Sequence, residues 1–335
     1  MKAAIFAGPG TLSIEERPIP RPVAPTDAVL EVEACGICGT DLQILADPPG
    51  HPANAGIVLG HEIVGRVVEV GPEADRAAGE RVAVDPDIRC NVCDRCRAGD
   101  PANCQRLTAM GVDIDGGLAG YCLAPSRALY PISEDTPTAS AAMAEPLACV
   151  LNGIRRLVPR PGETALIAGG GPIGGLFLKM LRAAGVGPIA VSDPLDSRRK
   201  AAEGYGADLA IDPADGPVAP ALMASWGRAP DVVVDASGSA LPDALAAVAD
   251  GGRILLFGMN ERAHDQIAQY PITRRELTVI GSYISRYTFG EAVRLIGRGV
   301  VDPSDLVTDQ LALGELEKGL EMLRTGQALK VLIRS

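Results

Sequence analysis

The densest chemistry in the chain is a run of cysteines, Cys90-Asn91-Val92-Cys93-Asp94-Arg95-Cys96, with Cys104 after seven further residues. Two successive Cys-x-x-Cys steps and a fourth cysteine nearby can wrap one ion tetrahedrally. Four thiolates are what a closed structural zinc site requires. An iron–sulfur cluster also uses four thiolates, but its usual runs differ in spacing or carry a trailing Cys-Pro, absent here. The remaining alternatives are free thiols or two disulfides. A second constellation lies upstream, Cys38 in Gly36-Ile37-Cys38-Gly39-Thr40-Asp41 and His61 in Gly60-His61-Glu62. Thiolate, imidazole and carboxylate are ligand types that zinc takes, and three protein ligands with one open position mark a catalytic site. Alone, such a pair is more often two unrelated buried residues.

Two further stretches bear on chemistry. Glu145-Pro146 sits in apolar company, where a proline in a first helical turn predicts a helix beginning near Glu145. That acid either interacts with the helix dipole or belongs to a site. Gly169-Gly170-Gly171-Pro172-Ile173-Gly174 follows a buried strand and opens an apolar helix. Gly169, Gly171 and Gly174 match the Gly-x-Gly-x-x-Gly fingerprint, which permits a tight turn, close approach to a pyrophosphate and close helix–strand packing. A second strand ends in Asp193, where an acid about 20 residues beyond the glycines binds adenosine ribose hydroxyls.

The elements that must position these residues fall into two styles. Residues 1 to about 85 read as β-rich, with β-branched runs at 28–34 and 63–70. Pro18, Pro20, Pro22 and Pro25 exclude a helix or central strand before residue 27. From about Thr138 the period turns helical. Strands at 164–168, 188–192, 207–211, 231–235, 253–257 and 277–281, with helices between the earlier ones, predict a doubly wound parallel sheet. Ser237, Phe257 and Gly258 fall at strand carboxyl ends, where such sheets bind ligands. Helices near 288–297 and 314–325 and a strand at 328–333 close the chain.

Bulk properties exclude several classes. The 335 residues predict two domains. A net charge of −11 argues against nucleic acid or an anionic membrane surface as partner. There is no run of 18 apolar residues, and the N-terminus is too short in apolar character for a signal peptide. A cytoplasmic protein is expected, in which the eight cysteines serve as metal ligands and core residues. Cys35, Cys122 and Cys149 read as small buried hydrophobes.

Taken in this order, Gly36–Asp41, Gly60-His61-Glu62, the four-cysteine lobe and the glycine turn resemble the zinc-containing medium-chain alcohol/polyol dehydrogenases over essentially the whole length. The chain looks most like the polyol (sorbitol-type) and threonine dehydrogenase branches, because Glu145-Pro146-Leu147 stands where those enzymes carry a third site acid. The resemblance implies a GroES-like irregular β-barrel catalytic domain of residues 1–145 and 286–335. It implies a Rossmann domain of residues 146–285, with the active site in the cleft between them. It implies two zinc ions per chain. Cys38, His61 and Glu145 would serve the catalytic one, with Glu62 an adjacent acid able to alternate with water, and Cys90, Cys93, Cys96 and Cys104 would hold the structural one. Gly169, Gly171, Pro172, Ile173 and Gly174 would form the pyrophosphate turn, with Asp193 on the ribose and Arg198 toward the adenine.

The implied reaction passes a hydride from a secondary alcohol (a polyol, cyclitol or related sugar alcohol) to a nicotinamide, with zinc as Lewis acid and the Thr40 hydroxyl in the proton relay. Asp193 favours NAD by repelling a 2′-phosphate, while the Arg198-Arg199-Lys200 cluster leaves NADP open. A threonine-type or simple alcohol dehydrogenase, a zinc-free reductase and a non-catalytic nucleotide binder are the competing readings. The family comparison also suggests a homodimer or homotetramer built by edge pairing. Three departures stand out. Gln43 replaces a histidine that many relatives carry after Thr40, Ile44 replaces an aromatic, and Gly281–Arg286 lacks an expected Arg-Tyr pair. They point away from sorbitol itself. His51 is either a substitute relay group or a plain surface histidine.

Overall fold

The strand that carries the first site, Asp27–Gly36, is covered on both faces: Ala28, Val29, Leu30, Val32, Ala34 and Cys35 are buried and Glu31 alone is exposed. It pairs antiparallel with Glu62–Val70, and Gly36 stands opposite Glu62. That register brings Cys38, two residues beyond one strand, to the same end as His61, one residue before the other. The computed structural model describes all residues, Met1–Ser335. They divide into one unit of Met1–Ala148 with Ser285–Ser335 and a second of Cys149–Ile284.

The first unit is built on a seven-stranded sheet in the order Asp309–Ala312, Val331–Arg334, Asp27–Gly36, Glu62–Val70, Arg81–Val84, Leu129–Pro131, with Tyr121–Pro125 also paired to Asp27–Gly36. Its core is aliphatic, with Leu30, Ile37, Ile44, Leu59, Met110 and Leu118 fully buried. Residues 17–26, with their four prolines, adopt neither helix nor strand. Ahead of them stands a hairpin that the sequence pattern did not suggest, Lys2–Gly8 with Thr11–Glu16. Its Ala3-Ala4-Ile5-Phe6 run is buried, and it is stitched on through Ala4 N–H to Leu118 O at 2.8 Å.

The second unit holds six parallel strands in the order Leu209–Ile211, Ile189–Ser192, Ala165–Ala168, Val232–Asp235, Arg253–Leu256, Thr278–Gly281. In chain order this is 3-2-1-4-5-6, the doubly wound arrangement that binds dinucleotides where the order reverses. Ala165–Ala168 and Val232–Asp235 flank that point and are buried along their whole length, as expected of a sheet covered on both faces. Observed strands are one to two residues shorter than the expected runs, and the last, Val331–Arg334, begins three residues later than expected. No helix is long and apolar enough to cross a membrane.

Candidate active site

Cys38 caps the short helix Gly39–Ile44. Its N–H donates to Asp41 Oδ2 at 2.8 Å, so Asp41 fixes the turn that presents the thiol. The Thr40 hydroxyl lies 3.7 Å from the Cys38 sulfur. On the facing chain Gly60 adopts φ +90°, and a Cβ there would lie 2.6 Å from Leu118 Cγ and 2.7 Å from the Cys35 sulfur. Only glycine allows this close left-handed turn, which delivers His61 to the site. The donor atoms of Cys38, His61 and Glu62 lie within 4.8 Å of one another.

Burial opposes a charged imidazole at His61, but Cys38, Asp41 and Glu145 outweigh it and hold the group well above its usual range. His61 Nδ1 stands 3.8 Å from Asp41 Oδ1, and neither buried atom has a hydrogen-bond partner. A thiol, an imidazole and a carboxylate that together favour a cation fit zinc. Glu145 stands outside the 4.8 Å cluster. It is half-buried in the first turn of the helix Ala144–Leu157 and acts on His61 through its charge.

The partner of Glu62 was not visible in the sequence. Lys330 Nζ donates to Glu62 Oε1 at 2.6 Å and Oε2 at 2.7 Å, and to Ile37 O at 3.1 Å. Both side chains are buried. A pair 268 positions apart leaves no local signal; a lysine amid an apolar C-terminal strand was the only hint. Gln43 lies on the same helix as Thr40, and its carbonyl accepts from Gly50 N–H at 3.0 Å. The neighbouring His51 is half-buried, with Nδ1 2.8 Å from Pro52 O.

Cys90, Cys93, Cys96 and Cys104 also bring their sulfurs within 4.8 Å of one another, and none of the eight cysteines is in a disulfide. Backbone N–H groups of Cys90 and Arg106 point at the Cys104 sulfur, and that of Cys93 at Cys90, each at 3.4 Å. N–H groups of Cys96 and Gln105 hold the Cys93 thiol down at about 6. Burial pushes the Cys96 thiol the other way, up to about 12, and it is the convergence of four sulfurs with backbone donors aimed at Cys90, Cys93 and Cys104 that suits a closed metal site.

In the second unit the glycine turn follows Ala168 as expected. A Cβ on Gly174 would collide with Gly169 O, so the helix starting at Pro172 packs on the turn only because Gly174 has no side chain. Asp193 is buried and accepts from Gly170 N–H and Leu195 N–H, both at 2.8 Å. Arg198 lies 3.6 Å from it. Arg199 and Lys200 are engaged elsewhere, by Asp212 at 2.9 Å and Asp196 at 2.7 Å. Ser237 donates to Asp235 at 2.8 Å. Gly258 packs against the Ser237-Gly238 backbone, and Phe257 stands edge-on to Phe177 at 5.0 Å.

Comparison with known proteins agrees with this picture. Residues 24–134 match the alcohol dehydrogenase GroES-like domain family, and residues 172–298 the zinc-binding dehydrogenase family. The erythritol/L-threitol dehydrogenase of Mycolicibacterium smegmatis is 31% identical, over 98% of this chain and 95% of its own. A zinc-binding dehydrogenase of Sinorhizobium meliloti, solved bound to NADP, has a TM-score of 0.94 at 32% identity, over 100% of this chain and 99% of its own. The rspB alcohol dehydrogenase of Escherichia coli CFT073, solved with NADH, has a TM-score of 0.93 at 30% identity with the same coverage. One unit is thus a GroES-like domain and the other a Rossmann domain, and the chain belongs to the zinc-containing medium-chain alcohol/polyol dehydrogenase family.

Proposed function

We propose that this protein is a zinc-dependent dehydrogenase that oxidises a secondary alcohol of a polyol, cyclitol or related sugar alcohol to the ketone. Hydride passes to the nicotinamide and one proton is released. The observation that carries the reading is the convergence of Cys38, His61 and Glu62 within 4.8 Å. Cys38 and His61 would hold the catalytic ion, with Glu145 or Glu62 completing the set, and Cys90, Cys93, Cys96 and Cys104 would hold a second. When bound, zinc supplies a Lewis acid that makes a substrate hydroxyl easier to deprotonate.

The chain's own residues divide the remaining work. Asp41 fixes the turn that presents Cys38 by accepting from the Cys38 N–H, and its charge faces the His61 ring at 3.8 Å. Lys330 neutralises Glu62. Thr40, 3.7 Å from the Cys38 sulfur, takes up the released proton and passes it on. The turn Gly169–Gly174 receives the pyrophosphate, and Asp193 accepts from the ribose hydroxyls. That supports NAD as the preferred cofactor, with Arg198 the group that would accommodate a 2′-phosphate. Thr278–Gly281 is an edge strand with Val279 38% exposed. Unpaired edges of this kind are normally covered, so we assign it to pairing with a second copy in a homodimer or homotetramer. Eight unpaired thiols favour the cytoplasm.

The deciding experiment follows reduced-nicotinamide absorbance with NAD and NADP across polyols, cyclitols, amino-cyclitols and 3-hydroxy amino acids. Turnover of polyols or cyclitols is expected, lost on chelation and in Cys38→Ser, which should also bind one zinc fewer than wild type. Silence toward every alcohol with both zincs bound would overturn the assignment.

A further inference from the structure

The chain re-enters the first unit at Ser285, and three consecutive side chains there reach the four-cysteine lobe or its root. Ser285 is buried; its Oγ and its carbonyl both accept from Arg89 Nη2, at 2.7 and 2.9 Å. Arg286 is paired with Asp100 at 2.7 Å. The Tyr287 hydroxyl donates to Asn91 Oδ1 at 2.8 Å, and the Arg89 guanidinium stands 5.9 Å from the Tyr287 ring centre.

Arg89, next to Cys90, is the pivot. It is buried and also grips Asp85 at 3.0 Å and Asp87 at 2.8 Å. Asp87 in turn feels the charge of His61. Asn91, Ile284 and Tyr287 are all non-glycine residues at positive φ, at 58°, 39° and 54°. Such conformations persist only where the surroundings over-determine them. Thr288 Oγ1 closes the arrangement by donating to Ala148 O at 2.6 Å, the last residue before the chain leaves the first unit.

The lobe cannot hold this shape by burial alone. Its apolar cluster consists of Cys93, Cys96 and Cys104 with only Cys90 and Leu107 packed against them. A metal is what supplies folding energy to such a segment. We propose that the four-cysteine lobe is a clamp on the return crossing: with its metal bound, it holds Ser285, Arg286 and Tyr287 in place through Arg89, Asn91 and Asp100. This rests on the reading of the lobe as a zinc site. Ser285, Arg286 and Tyr287 are positioning residues, and occupancy of the lobe sets the order of the crossing.

The test is hydrogen–deuterium exchange on the zinc-loaded full chain, with zinc counted in the same samples. Wild type is compared with Cys104→Ser, which empties the lobe, and with Arg286→Ala and Tyr287→Phe, which cut single ties at partly exposed side chains. Exchange at 284–288 should rise several-fold in all three variants, while Glu62–Val70 and Ala165–Ala168 stay protected. Unchanged exchange at 284–288 in Arg286→Ala and Tyr287→Phe would overturn the clamp, whether or not Cys104→Ser folds. So would loss of protection spread evenly over the first unit in Cys104→Ser, which would make the lobe a general staple. Absence of lobe zinc from wild type would instead refute the zinc reading, leaving the two tie variants to judge the contacts.

Discussion

The Glu62 carboxylate holds the Lys330 ammonium on both its oxygens, and the zinc proposed for Cys38 and His61 would compete for it. Removing one member of a buried pair strands the other charge, at a cost of about 3–5 kcal/mol, whereas removing both is far milder. Lys330→Met should therefore lower the unfolding free energy obtained from urea titration by an amount in that range, and Lys330→Met with Glu62→Gln should recover part of it. A single variant as stable as wild type would mean that solvent or metal already compensates Glu62. Asp41 makes a separate prediction. Its Oδ2 fixes the Cys38 turn and its Oδ1 faces His61 Nδ1 at 3.8 Å by charge without a hydrogen bond, so Asp41→Asn should weaken zinc at the Cys38 site about tenfold. Competition with a chromophoric chelator measures this; equal affinity would show that His61 is oriented by packing alone.

The glycine turn carries the prediction that belongs to an element. Because a Cβ on Gly174 would collide with Gly169 O, Gly174→Ala must push the helix Pro172–Ala183 off the strand end. Affinity for NADH should fall at least about tenfold, roughly 1.4 kcal/mol, read by fluorescence titration; unaltered binding would place the pyrophosphate elsewhere. This turn was legible in the sequence because every constraint on it is local: a strand, three glycines and an acid at fixed offsets. The cysteine lobe was legible for the same reason. What escaped was non-local or weakly patterned. The hairpin Lys2–Gly8 with Thr11–Glu16 has too short an apolar run to announce itself, and its burial comes from Leu118 and Ile57 far along the chain. Lys330 and Ser285 find their partners across 268 and 196 positions, and no spacing rule reaches that far. Asp41 lay inside a quoted motif, yet only the fold reveals that it faces both the Cys38 N–H and His61.

At the scale of the whole molecule, a buried carboxylate and a half-buried one pull the pH dependence of stability in opposite directions. Asp85 is pushed up to about 6, first by burial and then by Asp87, with Arg89 only partly offsetting them; Asp87 is raised as well, again by burial first. The folded chain thus holds this proton more tightly than the unfolded chain, whose Asp titrates near 3.8. Stability from this source is present below the unfolded value and is lost as pH rises from about 4 to about 6. Glu33 works the other way. Burial alone would raise it, but the Arg81 fork at 2.7 and 2.9 Å and the Thr138 hydroxyl hold it below its usual range. Its contribution is present above the unfolded value of 4.5 and is lost as pH falls through the lower folded value. Asp85→Asn should therefore gain on wild type progressively between about pH 4 and 6, by on the order of 3 kcal/mol, and run parallel to it at higher pH. Glu33→Gln should fall behind wild type at neutral pH and draw level as pH falls below the unfolded value of 4.5 and through the lower folded one. Any hydrogen bond to Arg89 lost with the Asp85 carboxylate shifts the whole difference curve without bending it, so the slope is the quantity to read. A flat curve for Asp85→Asn across that window would mean that Arg89 keeps the carboxylate ionised and that the cluster beside the lobe carries its full charge throughout.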